Sequence, residues 1–166
     1  MKAESKLEQL FIAELQYNDQ VDVKISMDGR TGDLIGRGDG VVKGERINGT
    51  MTWAYYAESC AYLWVKQGQE PPPDLRLCKT NPGGFIKTND GAEIRFDARG
   101  YGFRGADASR PHIWRLTSAL QFQTQDKRYD WLNTALGVWE GEFDEIAGKA
   151  TYRTLIQLHR GKGDAS

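Results

Sequence analysis

The stretch Thr88-Asn89-Asp90-Gly91-Ala92-Glu93-Ile94-Arg95-Phe96-Asp97-Ala98-Arg99 decides the reading of the fold. From Glu93 to Arg99 the residues alternate. Ile94, Phe96 and Ala98 share one face, and Glu93, Arg95, Asp97 and Arg99 share the other. A period of two marks a strand with one dry and one wet side. Asn89-Asp90-Gly91 stands between this strand and Phe85–Thr88. Asn and Gly tolerate the positive φ angles that tight hairpin turns need.

The same punctuation recurs along the chain. Asn48-Gly49 separates Gly40–Ile47 from Thr50–Ala57, and Asp28-Gly29 follows Val21–Met27. Glycine makes up 19 of 166 residues, against a usual ~7%. Many tight turns imply many short strands. No strand–helix–strand rhythm is present, which argues against a parallel sheet. Trp114–Thr124 reads as a strand, although Leu116, Ala119, Leu120 and Phe122 alternate poorly. Thr151–Leu158, rich in β-formers, closes the sheet. Gly36–Gly40 reads as a turn or bulge, and Gly100–Ser109 as a long loop. Tyr55–Trp64 is a dense aromatic run, and Pro71–Pro73 forces an extended connection.

Two segments carry helical marks. Leu7, Leu10, Phe11 and Leu15 fall at helical spacing, but Leu7, Phe11, Ala13 and Leu15 also fit one face of a strand; bare periodicity favours the helix. Asp126 is an N-cap for one or two helical turns, with Gly137 as the stop after Leu136.

Size and charge narrow the function classes. A chain of 166 residues is one ordinary domain. We expect a single unit over residues 1–160 and a disordered tail over 161–166. The formal net charge is −1, with both signs mixed and no basic block, which disfavours nucleic-acid binding. No apolar run suits a signal peptide or a membrane span, so the expected location is the cytoplasm. Cys60 and Cys78 read as buried thiols rather than a bridge.

The run Asp126–Asn133, DKRYDWLN, resembles the late motif of the bacterial proteins grouped as domain of unknown function 3237. Gly44–Thr50 with Trp53 resembles that family's early hairpin, and Thr88–Ile94 with Arg99-Gly100 its middle hairpin. The resemblance covers about Gly36 to Leu158. It implies an all-β fold, a closed antiparallel barrel of about eight strands, lipocalin-like in shape, with one short helix near Asp126–Leu136. It also implies a strand for Leu7–Leu15. It brings no activity with it.

Chemistry is sparsely signposted. His112 and His159 stand far apart with no ligand spacing around them, so no metal or other cofactor is expected. Ser59 and Ser118 lack a visible His partner, and Cys60 reads as packing. Aromatic residues are the stronger signal. We expect Trp53, Tyr55, Arg99, Tyr101 and Trp131 to line a ligand site, with Arg99 and Tyr101 at a barrel mouth holding an oxygen. Glu45, Glu93 and Asp97 are the candidate acids or bases. Tyr129 and Trp131 are expected to cap one barrel end, with Arg128 and Asn133 tying backbone there. The leading expectation is a barrel that binds a small, partly apolar or aromatic molecule in its lumen. A cofactor-independent isomerase, lyase or hydrolase is the alternative. A plugged barrel acting through protein–protein contact is the third. Edge strands and exposed aromatic residues permit a homodimer.

Overall fold

Gly91 takes a φ of 89°, a region that glycine enters without steric cost. The Thr88 N–H donates to Ala92 O at 2.9 Å, and the Gly91 N–H to Thr88 O at 3.0 Å. The hairpin that decides the fold is therefore present as read. The computed structural model describes residues 7–25, 32–59, 77–104 and 109–157. Eight strands form: β1 Glu8–Ile25, β2 Gly32–Lys43, β3 Gly49–Ser59, β4 Leu77–Thr88, β5 Glu93–Arg104, β6 Ile113–Gln123, β7 Leu136–Asp144 and β8 Lys149–Gln157. They run antiparallel in chain order, and β8 pairs back onto β1 to close a barrel. Among the described residues closure leaves no sheet edge, which removes the edge-strand argument for a homodimer there.

Leu7–Leu15 shows how tertiary pairing overrides local pattern. As a strand it pairs on both sides, Leu15 with Gly40 of β2 and with Ala150 of β8. Phe11, Ala13 and Leu15 then face the interior. A helix at this place would leave β2 and β8 with unpaired backbone groups.

Several local readings are corrected. Gly36–Gly40 is neither turn nor bulge but the middle of β2. The irregularity lies opposite, where the β1–β2 register shifts between Tyr17 and Asp19. Asn48-Gly49 is not a two-residue turn. Residues 44–48 form the connection, and the Asn48 side chain spans it, donating to Gly44 O at 2.6 Å and accepting from Gly44 N at 3.1 Å. Residues 100–104 are strand, not loop. Gly137 lies within β7 rather than ending a helix. In β6 the inward residues are Trp114, Leu116, Ser118, Leu120 and Phe122, while Ala119 faces out. Asp28-Gly29, Cys60, Tyr62, Trp64, Pro71–Pro73 and the tail lie outside the described residues.

The two ends of the barrel differ. At the lower end, Phe11, Val42, Met51, Ile86, Ile94, Phe122 and Ile156 fill the interior, none more than 5% exposed. A 3-10 helix, Lys127–Thr134, lies at this end and buries Tyr129 and Leu132. Asp126 caps it, accepting from the Arg128 N–H at 3.0 Å. Asn133 ties the helix to the end of β6 through both polar atoms of its amide. It accepts from Thr124 N at 2.8 Å and donates to Thr124 O at 3.0 Å. Arg128 and the Tyr129 hydroxyl both donate to Asp90 Oδ2, at 3.0 and 2.9 Å. The helix is thereby pinned to the β4–β5 turn. No helix among the described residues is long and apolar enough to cross a membrane.

Candidate functional site

The upper end is built from rings laid over bare backbone. Gly36, Gly38 and Gly40 of β2, Gly100 and Gly102 of β5 and Gly141 of β7 fall on inward positions, alternating with outward side chains. A Cβ at Gly38 would stand 2.6 Å from a ring carbon of Trp53. A Cβ at Gly102 would stand 2.6 Å from Cys78 Sγ. The missing side chains make room for large ones on the facing strands. Tyr17 stacks on Phe143 with centroids 4.1 Å apart and meets Trp53 edge-on at 4.4 Å. Tyr55 lies 5.4 Å from Trp53, and Trp139 lies 4.6 Å from Tyr152. Trp53, Trp139 and Tyr152 are buried, whereas Tyr17, Tyr55 and Phe143 are half-buried nearer the top.

The gap among these residues is narrow. It measures about 10 Å³, lined by Tyr17, Trp53, Tyr55, Thr80, Ser118, Trp139 and Tyr152 among others. That is room for about one water molecule. Its polar groups are hydroxyls and indole N–H groups. The Tyr17 and Tyr152 hydroxyls lie 3.4 Å apart, a weak hydrogen bond. Burial holds both phenols well above the ordinary tyrosine range, and so in the neutral form. Trp53 Nε1 and Trp139 Nε1 are buried with no hydrogen-bond partner among the described residues.

A charged pair sits further up. Arg104, the last residue of β5, points inward and is buried. Its Nη2 lies 2.7 Å from Glu145 Oε1, and Trp114 Nε1 donates to Glu145 Oε2 at 2.8 Å. Burial raises the Glu145 carboxyl above the usual range, and Trp114 and Arg104 only partly offset this. The pair ties the β7–β8 turn to the end of β5.

The structure divides the expected site residues. Trp53 and Tyr55 are in the upper lumen. Arg99 and Tyr101 are not. Both occupy outward positions of β5, at a groove of about 410 Å³ on the outer wall with Tyr56 and Lys79. A strand's period of two forces this, because Ala98, Gly100 and Gly102 take the inward places. Arg99 lies 3.9 Å from Asp97 on that wall. Trp131 is also outside the lumen, at the lower end, where the Arg46 guanidinium stacks 3.7 Å over its ring. Glu45 and Glu93 are exposed, and Asp97 is half-buried on the outer wall. A larger groove of about 1010 Å³ runs along the outer wall of β5 and β6, lined largely by wet-face residues such as Arg95, Gln121 and Gln123. Among the described residues no group of three metal-ligating side chains converges.

Sequence reading misses Tyr17, Trp139, Tyr152, Arg104 and Glu145. One signal points toward them. Glycine at every second position, in Gly36-x-Gly38-x-Gly40 and Gly100-x-Gly102, marks strands that give up interior volume to rings opposite.

No family model matches the chain, and no curated protein matches it. Solved structures do resemble it. A β-barrel-like protein from Acinetobacter baumannii superposes with a TM-score of 0.74 at 17% identity, over 94% of this chain and 98% of that one. A conserved protein of unknown function from Rhodopseudomonas palustris gives 0.73 at 18% identity, over 95% and 100%. An enzyme from Penicillium herquei gives 0.59 at 18% identity, over 93% and 97%. At these identities the likeness is one of fold.

Proposed function

We propose that the upper lumen binds a small, planar, partly apolar molecule. One observation carries this reading. Six aromatic rings stand over glycine-bared backbone at the upper end and leave a polar-edged gap, whereas the lower end is closed with hydrocarbon. An eight-stranded barrel is just wide enough to be filled by side chains or to hold one small ligand. The gap is too small for an organic molecule as it stands. Entry goes by rotation of Tyr17 and Tyr55, whose half-buried rings form the upper wall. A rotated Tyr17 ring would exchange its stack on Phe143 for one on a flat guest, and such an offset pair gains about 0.5–1.5 kcal/mol beyond its area. An acid–base enzyme in the same place has less behind it, because the gap's described lining holds no carboxylate.

Native mass spectrometry of freshly purified protein, before and after denaturation, tests the proposal. The expected result is a small-molecule mass excess that disappears on denaturation. Bare protein in both spectra, with a thermal midpoint unmoved by saturating planar aromatic compounds, would refute it, since a ligand of the native state must raise that midpoint.

A second reading has its own observation. Tyr56, Phe85, Tyr101 and Phe103 are between 47% and 59% exposed on β3, β4 and β5. A single-sided aromatic face of this kind suits contact with another protein. Under this reading the barrel is plugged and the outer wall acts. Sedimentation velocity decides whether the partner is a second copy of the chain.

A further inference from the structure

We infer that the guest of the upper lumen is an oxygen acceptor, a neutral carbonyl or a phenolate-like oxygen on a flat ring, and not a cation. This rests on the lumen-binding reading and adds the polarity of the ligand. Trp53 and Trp139 line the gap and are 5% and 3% exposed. The Nε1 of each is buried with no hydrogen-bond partner among the described residues. An indole nitrogen can only donate. A buried donor without an acceptor is costly, and native proteins keep few of them without a reason.

The neighbouring groups point the same way. Tyr17 and Tyr152 share one hydrogen bond at 3.4 Å. Whichever phenol donates, the other keeps its own O–H to offer. Thr80 and Ser118 add hydroxyls to the described lining, and no carboxylate stands there to meet an ammonium. The lumen thus presents two donor-only indole N–H groups, unpartnered among the described residues, against aromatic walls. A ligand that brings an acceptor satisfies groups the protein leaves bare. One that brings only C–H bonds leaves them bare, and so does one that brings only N–H donors, which the lining hydroxyls could take up but the indoles could not.

Three probes of one shape separate these cases: acetophenone, cumene and 1-phenylethylamine in its ammonium form. Binding is followed by tryptophan emission and by the indole N–H resonances of the 15N-labelled protein. Acetophenone is expected to bind about tenfold tighter than cumene and to move the Trp53 or Trp139 indole proton downfield. The ammonium is expected to bind weakest. Trp53→Phe and Trp139→Phe keep a ring and lose the N–H; at least one should lose the preference for acetophenone while binding cumene as the parent does. If cumene binds as well as acetophenone, or the ammonium binds best, the inference falls and lumen binding stands. If no probe binds, both fall together. The indole resonances of the parent protein separate these outcomes even where a variant fails to fold.

Discussion

The lower and upper ends of the barrel are made from the same strands, yet they solve the interior in different ways. Below, seven inward aliphatic and aromatic side chains fill the section, and the helix is fastened by Asn133, Arg128 and Asp126. Above, β2 bares its backbone at Gly36, Gly38 and Gly40 and β5 at Gly100 and Gly102, and rings from β1, β3, β7 and β8 cross the opening. The seven side chains that pack the lower end bring no N–H or O–H to satisfy. The upper end holds two indole N–H groups without acceptors among the described residues, a phenol pair at long range and a buried arginine–glutamate pair. The contrast teaches that one end carries stability while the other keeps polar groups in reserve, at some cost in stability.

The comparison can be broken most directly at Phe11. It is 0% exposed and packs edge-on to Phe122 with centroids 6.3 Å apart. Phe11→Ala should cost about 3–5 kcal/mol in denaturant unfolding. A loss under about 1 kcal/mol would mean that the lower end is not the tight one. Gly38→Ala tests the upper end. The new methyl would stand 2.6 Å from the Trp53 ring and 2.1 Å from Gln16 O. It should cost about 1–3 kcal/mol by overpacking and shift the tryptophan emission. Parent-like stability would show slack in the upper lumen.

The pH limits should differ between the ends, with the smaller effect in acid. Burial raises the phenols of Tyr17 and Tyr152 above their ordinary range. Their contribution is present below the unfolded value of ~10 and is lost as pH rises through the folded values. Tyr129 at the lower end is raised as well, chiefly by burial, so Tyr17→Phe and Tyr152→Phe are needed to assign the alkaline limb. Asp126 runs the opposite way. The Arg128 side chain and N–H hold its carboxyl at about 2. Its contribution is present above the unfolded value of ~3.9 and is lost as pH falls toward about 2. The pair stands at the surface, with Asp126 half-buried and Arg128 exposed, so Asp126→Asn should flatten the acid limb only slightly.

Legibility follows the polarity pattern. β5 is readable from Glu93 to Arg99 because its dry face is apolar and its wet face charged. Just beyond, the same strand becomes unreadable, because Gly100 and Gly102 face in while Tyr101 and Phe103 face out. The local pattern suggests a mouth at Arg99 and Tyr101 for that reason, and the strand's parity puts them on the outer wall. Trp53 and Tyr55 are legible as part of a dense aromatic run, although Tyr56 of the same run faces out. Trp139 and Tyr152 are not, because each stands among ordinary strand residues, and only closure of the barrel brings them to Trp53 and Tyr17.

By itself the sequence determined the Asn89–Gly91 hairpin, the alternating first half of β5 and the Asp126 cap that starts the helix. Those features rest on dihedral preference and on contacts a few residues apart. Local pattern did not give the closure of β8 onto β1 or the strand state of Leu7–Leu15, which only the family resemblance implied, and the unequal filling of the two ends was decided in the tertiary structure alone. The reason is range. Tyr17 meets Phe143 and Tyr152 across more than a hundred residues of chain. Such contacts leave no local periodicity to read, and only the paired strands fix which side chains share the lumen.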